Sequence, residues 1–259
     1  MTEVRYDDTT HPGVAIVTFD GEAKLNAFDR GTWSGLAEAL GKVEDDAGVT
    51  VAVLTGRGRA FVAGADIGEY GDATYDSFVD FQRIVRAVTD RLVACNKPIV
   101  AAVNGYALGG GFELVLACDL VVASSAARFG LPEAKLGLLS GGGGAQRLAR
   151  TIGRVRTKEL LMTARMMDAD EALALGIVNR VVDPARLLPA CFELADEIRR
   201  MAPMSVLTAK RLIDEGLDLP LGDAIDLEAE RMHPLFRTRD AREGIASFLE
   251  KREPRFVGD

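Results

Sequence analysis

The sequence predicts an α/β core that is followed by an all-helical C-terminal region. Apolar, β-rich runs alternate with amphipathic segments through residue 182, and every segment beyond Asp183 has a helical pattern. Runs such as 51–55 and 98–103 show no regular polar alternation, so we expect their strands to be covered on both faces. The apolar share of 48% and the charged share of 27% are typical of a globular chain.

Five strands are predicted in the core, each from a run of apolar or β-branched residues. They cover residues 14–19, 51–55, 98–103, 120–123 and 177–182. The segment 56–66, which follows the second of these strands, is predicted to be a loop.

The predicted helices follow the 3.6-residue spacing of apolar side chains. The first begins after Asp29, a good N-cap residue, and buries a face that includes Trp33 and Leu40. Further core helices cover 75–93, 111–118, 144–152, 155–162 and 168–175, and the later ones cover 184–201, 205–215, 221–232 and 239–252. The boundary lies within 183–203, which gives a core of residues 1–195 and a helical region of residues 196–259.

The charge balance restricts the partners that the protein can have. The 259 residues include 31 Lys and Arg against 39 Asp and Glu, so the formal charge at pH 7 is 31 − 39 = −8. This charge repels nucleic-acid backbones and anionic membrane surfaces at long range. We therefore expect no nucleic-acid partner and no membrane partner.

Cysteine and histidine are too sparse for the common metal and redox sites. Cys95, Cys118 and Cys191 lie far apart and form no CxxC pair, which favours a reducing, cytoplasmic location. The N-terminal residues contain no apolar signal segment. With His11 and His233 as the only histidines, neither a metal site nor a Ser-His-Asp triad is expected.

Glycine is concentrated in one part of the chain. Ten of the 27 glycines lie between Gly105 and Gly144, which suggests either backbone built around a ligand or a set of tight turns between buried strands. The apolar stretch 98–127 within this region is interrupted by three consecutive glycines and contains Glu113 and Asp119. These features exclude a membrane span and favour a strand, a glycine turn and a short buried helix.

Two glutamates stand out within this glycine-rich region. Glu113 lies in the first turn of a predicted helix among apolar neighbours, a setting that raises a carboxyl pKa and suits an acid or a base. It could equally serve only to complement the helix dipole. Glu133 follows Pro132, a common arrangement at helix starts, so by itself it favours a structural role. As a pair in glycine-rich frames, the two glutamates are better candidates for general acid/base work.

Three other patterns carry weaker signals. The segment 61–67 is rich in small residues and could present backbone amides to a ligand, or be a plain connection. The basic run from Arg147 to Lys158 is typical of a solvated helix face, with an anion contact as the alternative. His233, before Pro234, is interpreted as a helix-end residue.

Three blocks of the sequence resemble the signature blocks of the enoyl-CoA hydratase/isomerase (crotonase) family. They are FVAGADI at 61–67, KPIVAAVNGYALGGGFE at 97–113 and LPEAKLG at 131–137. The resemblance extends over essentially the whole chain, from KLNA at 24–27 to FLEKR at 248–252. Because the blocks are long, ordered and correctly spaced, the sequence is identified as a member of this family.

The resemblance implies a spiral of repeated β-β-α units followed by a helical region through which subunits form trimers or hexamers. It also implies acyl-CoA thioesters as substrates, with no cofactor other than the coenzyme A that the substrate carries. The expected activity is that of an enoyl-CoA hydratase, a lyase that adds water across the C2=C3 bond of a 2-enoyl-CoA to give a 3-hydroxyacyl-CoA.

The resemblance also assigns site residues. The oxyanion hole maps to the backbone amides of Ala65 and Gly110, and the two catalytic glutamates map to Glu113 and Glu133. Glu133 is assigned to activating the water and delivering a proton to C2, while Glu113 holds and polarises the water. The residues expected to bind the substrate are Lys24, Leu25, Arg59, Ala63, Asp66, Ile67, Phe248 and Lys251.

The sequence departs from the family pattern at two places. LSGGGG at 139–144 stands where hydratases usually have Pro-Gly-Ala-Gly-Gly, so Ser140 replaces a proline near the acyl pocket. Gly68 stands where many relatives have a lysine, so one phosphate contact is missing. Neither change affects the glutamate pair.

Two alternatives to hydration stay open at the level of sequence. One is a Δ3-Δ2 enoyl-CoA isomerase, or another enzyme of the same fold that acts on a functionalised acyl-CoA. The other is a non-catalytic RNA-binding scaffold, for which only the basic run argues. The acyl chain, the pathway and the choice between trimer and hexamer are not determined by the sequence.

Overall fold

The computed structural model describes residues 1–71 and 73–259 and divides them into two compact units. The first unit is Met1–Phe192 and the second is Glu193–Asp259. The division falls inside the helix Leu187–Arg199, which also contains the boundary predicted at 195.

The strands of the first unit form two sheets in the described part of the chain. In chain order they are β1 (Glu3–His11), β2 (Val14–Asp20), β3 (Val51–Gly56), β4 (Ala60–Val62), β5 (Ile99–Val103), β6 (Tyr106–Leu108), β7 (Leu120–Ser124), β8 (Arg128–Gly130), β9 (Met167–Asp168) and β10 (Arg180–Val182). The larger sheet has the order β1-β2-β3-β5-β7-β10, and the smaller has the order β4-β6-β8-β9.

The larger sheet is parallel except for its first pair. β1 and β2 run antiparallel, whereas β2, β3, β5, β7 and β10 pair in parallel. Every residue of β5 is buried, and so are the first five residues of β3. The expectation of strands covered on both faces is therefore confirmed for the centre of this sheet.

The helices of the first unit connect these strands. They are α1 (Arg30–Asp45), α2 (Gly68–Gly71), α3 (Tyr75–Ala94), α4 (Gly110–Val115), α5 (Gly144–Ile152), α6 (Arg154–Thr163) and α7 (Ala169–Ala174). The helix α8 (Leu187–Arg199) follows the last strand and spans the division between the units. Asp29 caps α1 by accepting a hydrogen bond from the Thr32 amide at 2.8 Å, as predicted. Short 3-10 turns cover Glu22–Lys24, Glu133–Leu136 and Pro184–Arg186.

The connections repeat a β-β-α unit. β3, β4 and α3 form one unit, β5, β6 and α4 the next, and β7, β8 and α5 a third. In each unit the first strand joins the larger sheet and the second joins the smaller sheet. This is the spiral that the family resemblance implies.

The smaller sheet corrects the interpretation of 56–66 as a loop, because Ala60–Val62 forms β4 within that segment. The side chain of Asn26 donates to the carbonyl oxygens of Ala60 and Arg57, at 2.7 and 2.9 Å. Asn104 donates to the Ala60 carbonyl from the other side at 3.0 Å. Side chains distant in sequence thus fix a strand that is too short to show a periodicity of its own.

Several other boundaries differ from the predictions. β1 was not predicted, because its nine residues are mostly polar and largely exposed. The helix predicted at 111–118 is Gly110–Val115, and the strand predicted at 177–182 is shortened to Arg180–Val182. The remaining core strands and helices lie within a few residues of their predicted positions.

The second unit contains α9 (Pro203–Gly216), α10 (Leu221–Leu235) and α11 (Arg239–Glu250), which confirms its predicted helical character. His233 lies in the last turn of α10, as interpreted from the sequence. At the start of α11 the buried Asp240 carboxylate accepts hydrogen bonds from the Val257 and Gly258 amides at 2.7 and 2.8 Å. The C-terminal segment is therefore fixed against α11.

Candidate active site

Three chain segments that follow parallel strands of the smaller sheet enclose a cavity of about 300 Å³ in the first unit. β4, β6 and β8 are neighbours that pair in parallel, so their carboxyl ends lie at one edge. Residues 63–65 follow β4, Gly109 follows β6, and Glu133 follows β8. Ligands commonly bind beyond the carboxyl ends of parallel strands. The segments meet here although they lie far apart in sequence.

The local geometry leaves two backbone amides at this edge outside the hydrogen bonds of their own segments. Phe28 and Ala65 form an isolated bridge in which the Phe28 amide donates to Gly64 and the Phe28 carbonyl accepts from Asp66. These two hydrogen bonds use the residues on either side of Ala65, so the N–H of Ala65 itself points away from Phe28. Gly110 is the first residue of α4, so its N–H has no carbonyl one turn earlier to bind.

Glycine is required beside both amides. Gly64 has a φ of 113° and Gly109 a φ of 52°, which is the region that residues with side chains rarely adopt. A Cβ at Gly109 would lie 3.7 Å from the Cα of Gly64, so the two segments approach closely. The amides of Ala65 and Gly110, one residue further along each segment, are thereby brought to the same cavity.

Glu113 lies in the first turn of α4, where it is 4% exposed. Its Oε1 accepts hydrogen bonds from the Gly142 and Gly144 amides, each at 2.8 Å. Burial raises the pKa of Glu113, and the two amides together with the Arg147 charge oppose that rise. The carboxyl is held by one oxygen, while the residue lines the cavity.

Glu133 opens the 3-10 turn Glu133–Leu136 and lines the same cavity. Its Oε2 is buried and has no hydrogen-bond partner among the residues that the structure describes. Burial raises the pKa of Glu133 to about 7, with a smaller contribution from the charge on Glu113 and an opposing one from its own backbone amide. A carboxyl with this pKa exchanges protons readily near neutral pH.

The glycine run 141–144 fits closely around Glu113. A Cβ at Gly142 would lie 2.9 Å from Oε2 of Glu113, and one at Gly144 would lie 2.7 Å from its Cγ. Arg147 donates to the Gly142 carbonyl at 2.8 Å and so fixes the run from behind. One member of the basic run is thus part of the site's support, whereas Arg150, Arg154, Arg156 and Lys158 are exposed.

Ser140, one of the two departures from the family pattern, has a structural role. Its Oγ accepts a hydrogen bond from the Ala145 amide at 3.2 Å, near the start of α5. A hydroxyl that accepts from a first-turn amide stabilises a helix start.

The rest of the cavity wall is largely apolar and comes from α3 and the residues after Glu133. Its principal apolar members are Phe78, Phe81, Val85, Leu136, Leu138 and Leu139. Trp33 of α1 lies beside the Gly110 amide, with its Cζ2 3.8 Å from where a Gly110 Cβ would be. Tyr70 and Gln82 add two polar groups to this wall.

Four of these lining residues, Trp33, Phe78, Gln82 and Val85, were predicted only to lie on helix faces, and the site role of none was predicted. One signal was available: Gln82 is a polar residue on the otherwise apolar face of the helix predicted at 75–93. Trp33 was predicted to be core, and it is 2% exposed. Its Nε1 is buried without a hydrogen-bond partner among the described residues.

The predicted substrate-binding residues separate into two groups in the first unit. Ala63 and Ile67 line the cavity with Ala65 and Gly110. Lys24 and Asp66 form an ion pair outside the cavity lining, and that hydrogen bond raises the pKa of Lys24.

Leu25 and Arg59 also lie outside the lining. Leu25 accepts a hydrogen bond from the Ala63 amide through its carbonyl at 3.1 Å, which ties it to the segment after β4. The Arg59 side chain is exposed. Gly68, the other departure from the family pattern, donates its amide to Asp66 at 3.1 Å.

Phe248 and Lys251 belong to the second unit. Phe248 lies in the last turn of α11 and is 83% exposed, and Lys251 is the residue that ends the helix. Their participation in substrate binding stays a prediction.

The described residues form neither a metal site nor a membrane span. Across residues 1–71 and 73–259, no group of three or more His, Cys, Asp or Glu side chains is arranged to hold a metal ion. No helix within the same ranges has the length and apolarity that a membrane crossing requires.

Comparison with known proteins places the chain in a family. The sequence model described as enoyl-CoA hydratase/isomerase matches residues 9–259. The chain is 40% identical over 241 residues to a short-chain-enoyl-CoA hydratase of Clostridium acetobutylicum, covering 93% of this chain and 92% of that protein. It is 38% identical over 245 residues to a crotonyl-CoA hydratase of Syntrophomonas wolfei, covering 94% of each.

Solved structures agree with the sequence comparisons. The crystal structure of an enoyl-CoA hydratase from Bacillus anthracis matches with a TM-score of 0.95 at 34% identity, covering 99% of this chain and 100% of that chain. The chain belongs to the enoyl-CoA hydratase/isomerase family, and its fold is the crotonase fold.

Proposed function

We propose that the protein is an enoyl-CoA hydratase that adds water across the C2=C3 bond of a 2-enoyl-CoA thioester to give a 3-hydroxyacyl-CoA. The observation that carries this proposal is that Glu113 and Glu133 both line one cavity together with the amides of Ala65 and Gly110. The relatives named as hydratases, at about 40% identity over nearly the whole chain, support the same reaction.

The two amides provide the electrostatic part of catalysis. When the oxygen of water adds to C3, negative charge develops on the thioester oxygen. Neither the bridge at Ala65 nor the helix that begins at Gly110 uses these N–H groups, so both can bind that oxygen. Fixed donors of this kind contribute about 10²–10³ in rate each.

The two glutamates divide the proton transfers. Glu133, whose Oε2 has no hydrogen-bond partner among the described residues, takes a proton from the attacking water and delivers a proton to C2, so that one H and one OH are added in total. Glu113, held through Oε1 by two amides, holds and polarises the same water. Because the two carboxyls are electrostatically coupled, the reverse division of roles is the alternative within this mechanism. The reaction requires water and these carboxyls, and no cofactor beyond the substrate's own coenzyme A.

Coenzyme A is a polyanion, so its binding by a chain of charge −8 depends on local groups. We assign its binding to Lys24, Arg59 and Lys251, with Leu25, Ala63, Asp66, Ile67 and Phe248 as further contacts. The overall negative charge slows the encounter with the substrate, and added salt relieves part of that repulsion.

The exposed apolar residues of the second unit support self-association. Neither α9 nor α10, both fully described, contains a buried residue. Ile213, Leu221, Ile225 and Met232 are each more than half exposed. Apolar surface of this extent is characteristic of interfaces, and a trimer or a pair of trimers is the assembly we propose.

Isomerisation is the main competing reaction, since it requires one base that moves a proton and no water. Two carboxyls at one cavity favour hydration. Incubation with a 2-enoyl-CoA and with a 3-enoyl-CoA, followed by product identification, separates the two activities.

The decisive test is the rate of crotonyl-CoA hydration by Glu113→Gln and Glu133→Gln. Each amide preserves the shape of the side chain but cannot accept a proton, so each variant should lose at least about tenfold in kcat. Glu38→Gln, at an exposed glutamate of α1, is the matched control and should hydrate at the wild-type rate. Near-normal hydration by either active-site variant would refute the two-carboxyl mechanism.

A further inference from the structure

Gln82 of α3 lies between the active-site cavity and the outer surface of the first unit. It lines the active-site cavity, and it also lines a separate groove on the exposed side of α3 together with Arg83, Arg86 and Asp90. The residue itself is half-buried. A side chain that borders both spaces decides whether they are connected.

Gln82 is held from two sides. It shares a hydrogen bond with the hydroxyl of Tyr70, which contributes to the cavity lining from α2. On the other side it packs on the glycine run, because a Cβ at Gly141 would lie 2.2 Å from Oε1 of Gln82. Only a glycine at 141 leaves room for the amide in this position. Tyr70 and Gln82 are therefore a fixed polar pair in an otherwise apolar part of the wall.

The position of this pair relative to the catalytic groups indicates what it does. Gly141 is adjacent in sequence to Gly142, whose amide binds Glu113. A Cβ at Gly142 would also lie 3.2 Å from Val85, one helical turn from Gln82 on α3. The apolar surface that begins at the carboxyls thus continues along α3 and ends at Gln82. In the proposed mechanism the thioester oxygen binds the two amides and C3 lies at the carboxyls. The rest of the acyl chain would then extend from the carboxyls along α3 toward Gln82.

We propose, on the basis of the function proposed above, that Gln82 and Tyr70 form the end wall of the acyl cavity and limit the substrate to short acyl chains. A longer chain would have to displace the amide of Gln82 from Tyr70 and from Gly141 before reaching the outer groove. Removing the Gln82 side chain joins the cavity to that groove and opens a path for further methylene groups.

The test compares acyl-CoA binding by chain length, which does not depend on turnover. Dissociation constants of butanoyl-CoA and decanoyl-CoA are measured for the wild type, Gln82→Ala and Gln82→Met. The wild type should bind butanoyl-CoA more tightly than decanoyl-CoA. Gln82→Ala should shift the ratio at least about tenfold toward decanoyl-CoA, which corresponds to burial of two further methylene groups.

Two further variants separate the wall from general effects of substitution on α3. Gln82→Met restores the bulk without the amide and should keep the short-chain preference more closely than Gln82→Ala does. Arg83→Ala, at the exposed neighbour, should leave the ratio unchanged. Tyr70→Phe removes the hydroxyl that holds Gln82 and should move the ratio toward decanoyl-CoA by a smaller factor, so it tests the wall even where Gln82→Ala folds poorly.

Two results would refute the proposal that Gln82 and Tyr70 form the end wall. One is the same binding ratio in the wild type, Gln82→Ala and Tyr70→Phe. The other is tighter binding of decanoyl-CoA than of butanoyl-CoA by the wild type. Hydration of crotonyl-CoA is measured on the same preparations. If the variants hydrate crotonyl-CoA normally but do not change the binding ratio, only the end-wall proposal is refuted. If the wild type selects short acyl chains but does not hydrate crotonyl-CoA, only the proposed function is refuted.

Discussion

Oε1 of Glu113 lies 2.8 Å from the amide nitrogen of Gly144, and no side chain at 144 could be added without moving the carboxyl. A Cβ there would stand 2.7 Å from Cγ of Glu113, well inside van der Waals contact. The glycine therefore provides both the donor that orients the carboxyl and the space that the carboxyl occupies.

Gly144→Ala should reduce kcat for crotonyl-CoA hydration by about 10²-fold, because a displacement of about 1 Å in a catalytic group costs a factor of this size. The overpacking should also destabilise the fold by about 1–3 kcal/mol. Steady-state kinetics and thermal unfolding measure the two effects. Gly222→Ala, on α10 where a Cβ meets no atom within 4 Å, is the control. Equal kinetics in the two variants would show that Gly144 does not position Glu113.

The pKa of Glu133 at about 7 predicts the pH dependence of the reaction. In the proposed role of the base that accepts a proton from water, Glu133 must be ionised in the free enzyme. kcat/KM should therefore rise with pH up to about 7 and level off above it. The inflection should disappear in Glu133→Gln. If the same inflection persists in Glu133→Gln, it arises from the titration of another group.

The same pKa predicts a stability difference. The pKa of Glu133 in the folded protein is above the ordinary glutamate value of 4.5, so the folded state binds this proton more tightly than the unfolded state does. The resulting stabilisation of the fold is fully present below pH 4.5 and is lost as pH rises through 7. Above pH 7 the wild type thus contains a partly buried charge that Glu133→Gln lacks. With solvent screening, the variant should be more stable at pH 8 by about 1–2 kcal/mol. Urea unfolding at pH 5 and pH 8 measures the difference, and equal values at pH 8 would contradict it.

The Gly110 amide can be removed without breaking the helix that it begins. Proline is favoured at the first position of a helix, where its missing N–H has no intrahelical acceptor to lose. Gly110→Pro should therefore leave α4 intact but remove one oxyanion donor. Its kcat should lie about 10²–10³ below that of Gly110→Ala, which keeps the N–H and meets only Trp33, at 3.8 Å. Similar kcat values for the two variants would remove Gly110 from the oxyanion hole.

Lys24 should contribute to the binding of the phosphorylated part of the substrate and not to the chemistry. Lys24→Ala should raise KM for crotonyl-CoA about threefold to tenfold, as expected for loss of one exposed charge contact. KM for crotonyl-pantetheine, which lacks the adenosine phosphates, should stay at the value for the wild type. Lys42→Ala, at an exposed lysine of α1, provides the comparison. An equal effect on both substrates would show that Lys24 acts through Asp66 on the protein itself.

Much of the fold was predictable because long elements display their periodicity. The strands at β3 and β5 and the helix α3 were each predicted to within a few residues, since runs of buried residues and a 20-residue amphipathic helix carry strong patterns. β4, β6 and β8 were not predicted, because three residues are too few for any period. These are the strands at whose ends the cavity is built.

The sequence by itself determined the family, the glutamate pair and the glycines that frame it, because those features consist of residue types at fixed spacings. The tertiary structure decided what surrounds them. It brought the amides of Gly142 and Gly144 onto Glu113 and left Oε2 of Glu133 without a hydrogen-bond partner in the part of the chain that the structure describes. It also placed Gln82 between two spaces. Burial, pKa and the limits of a cavity are properties of contacts between segments distant in the chain, and only the packed sheets and helices fix those contacts.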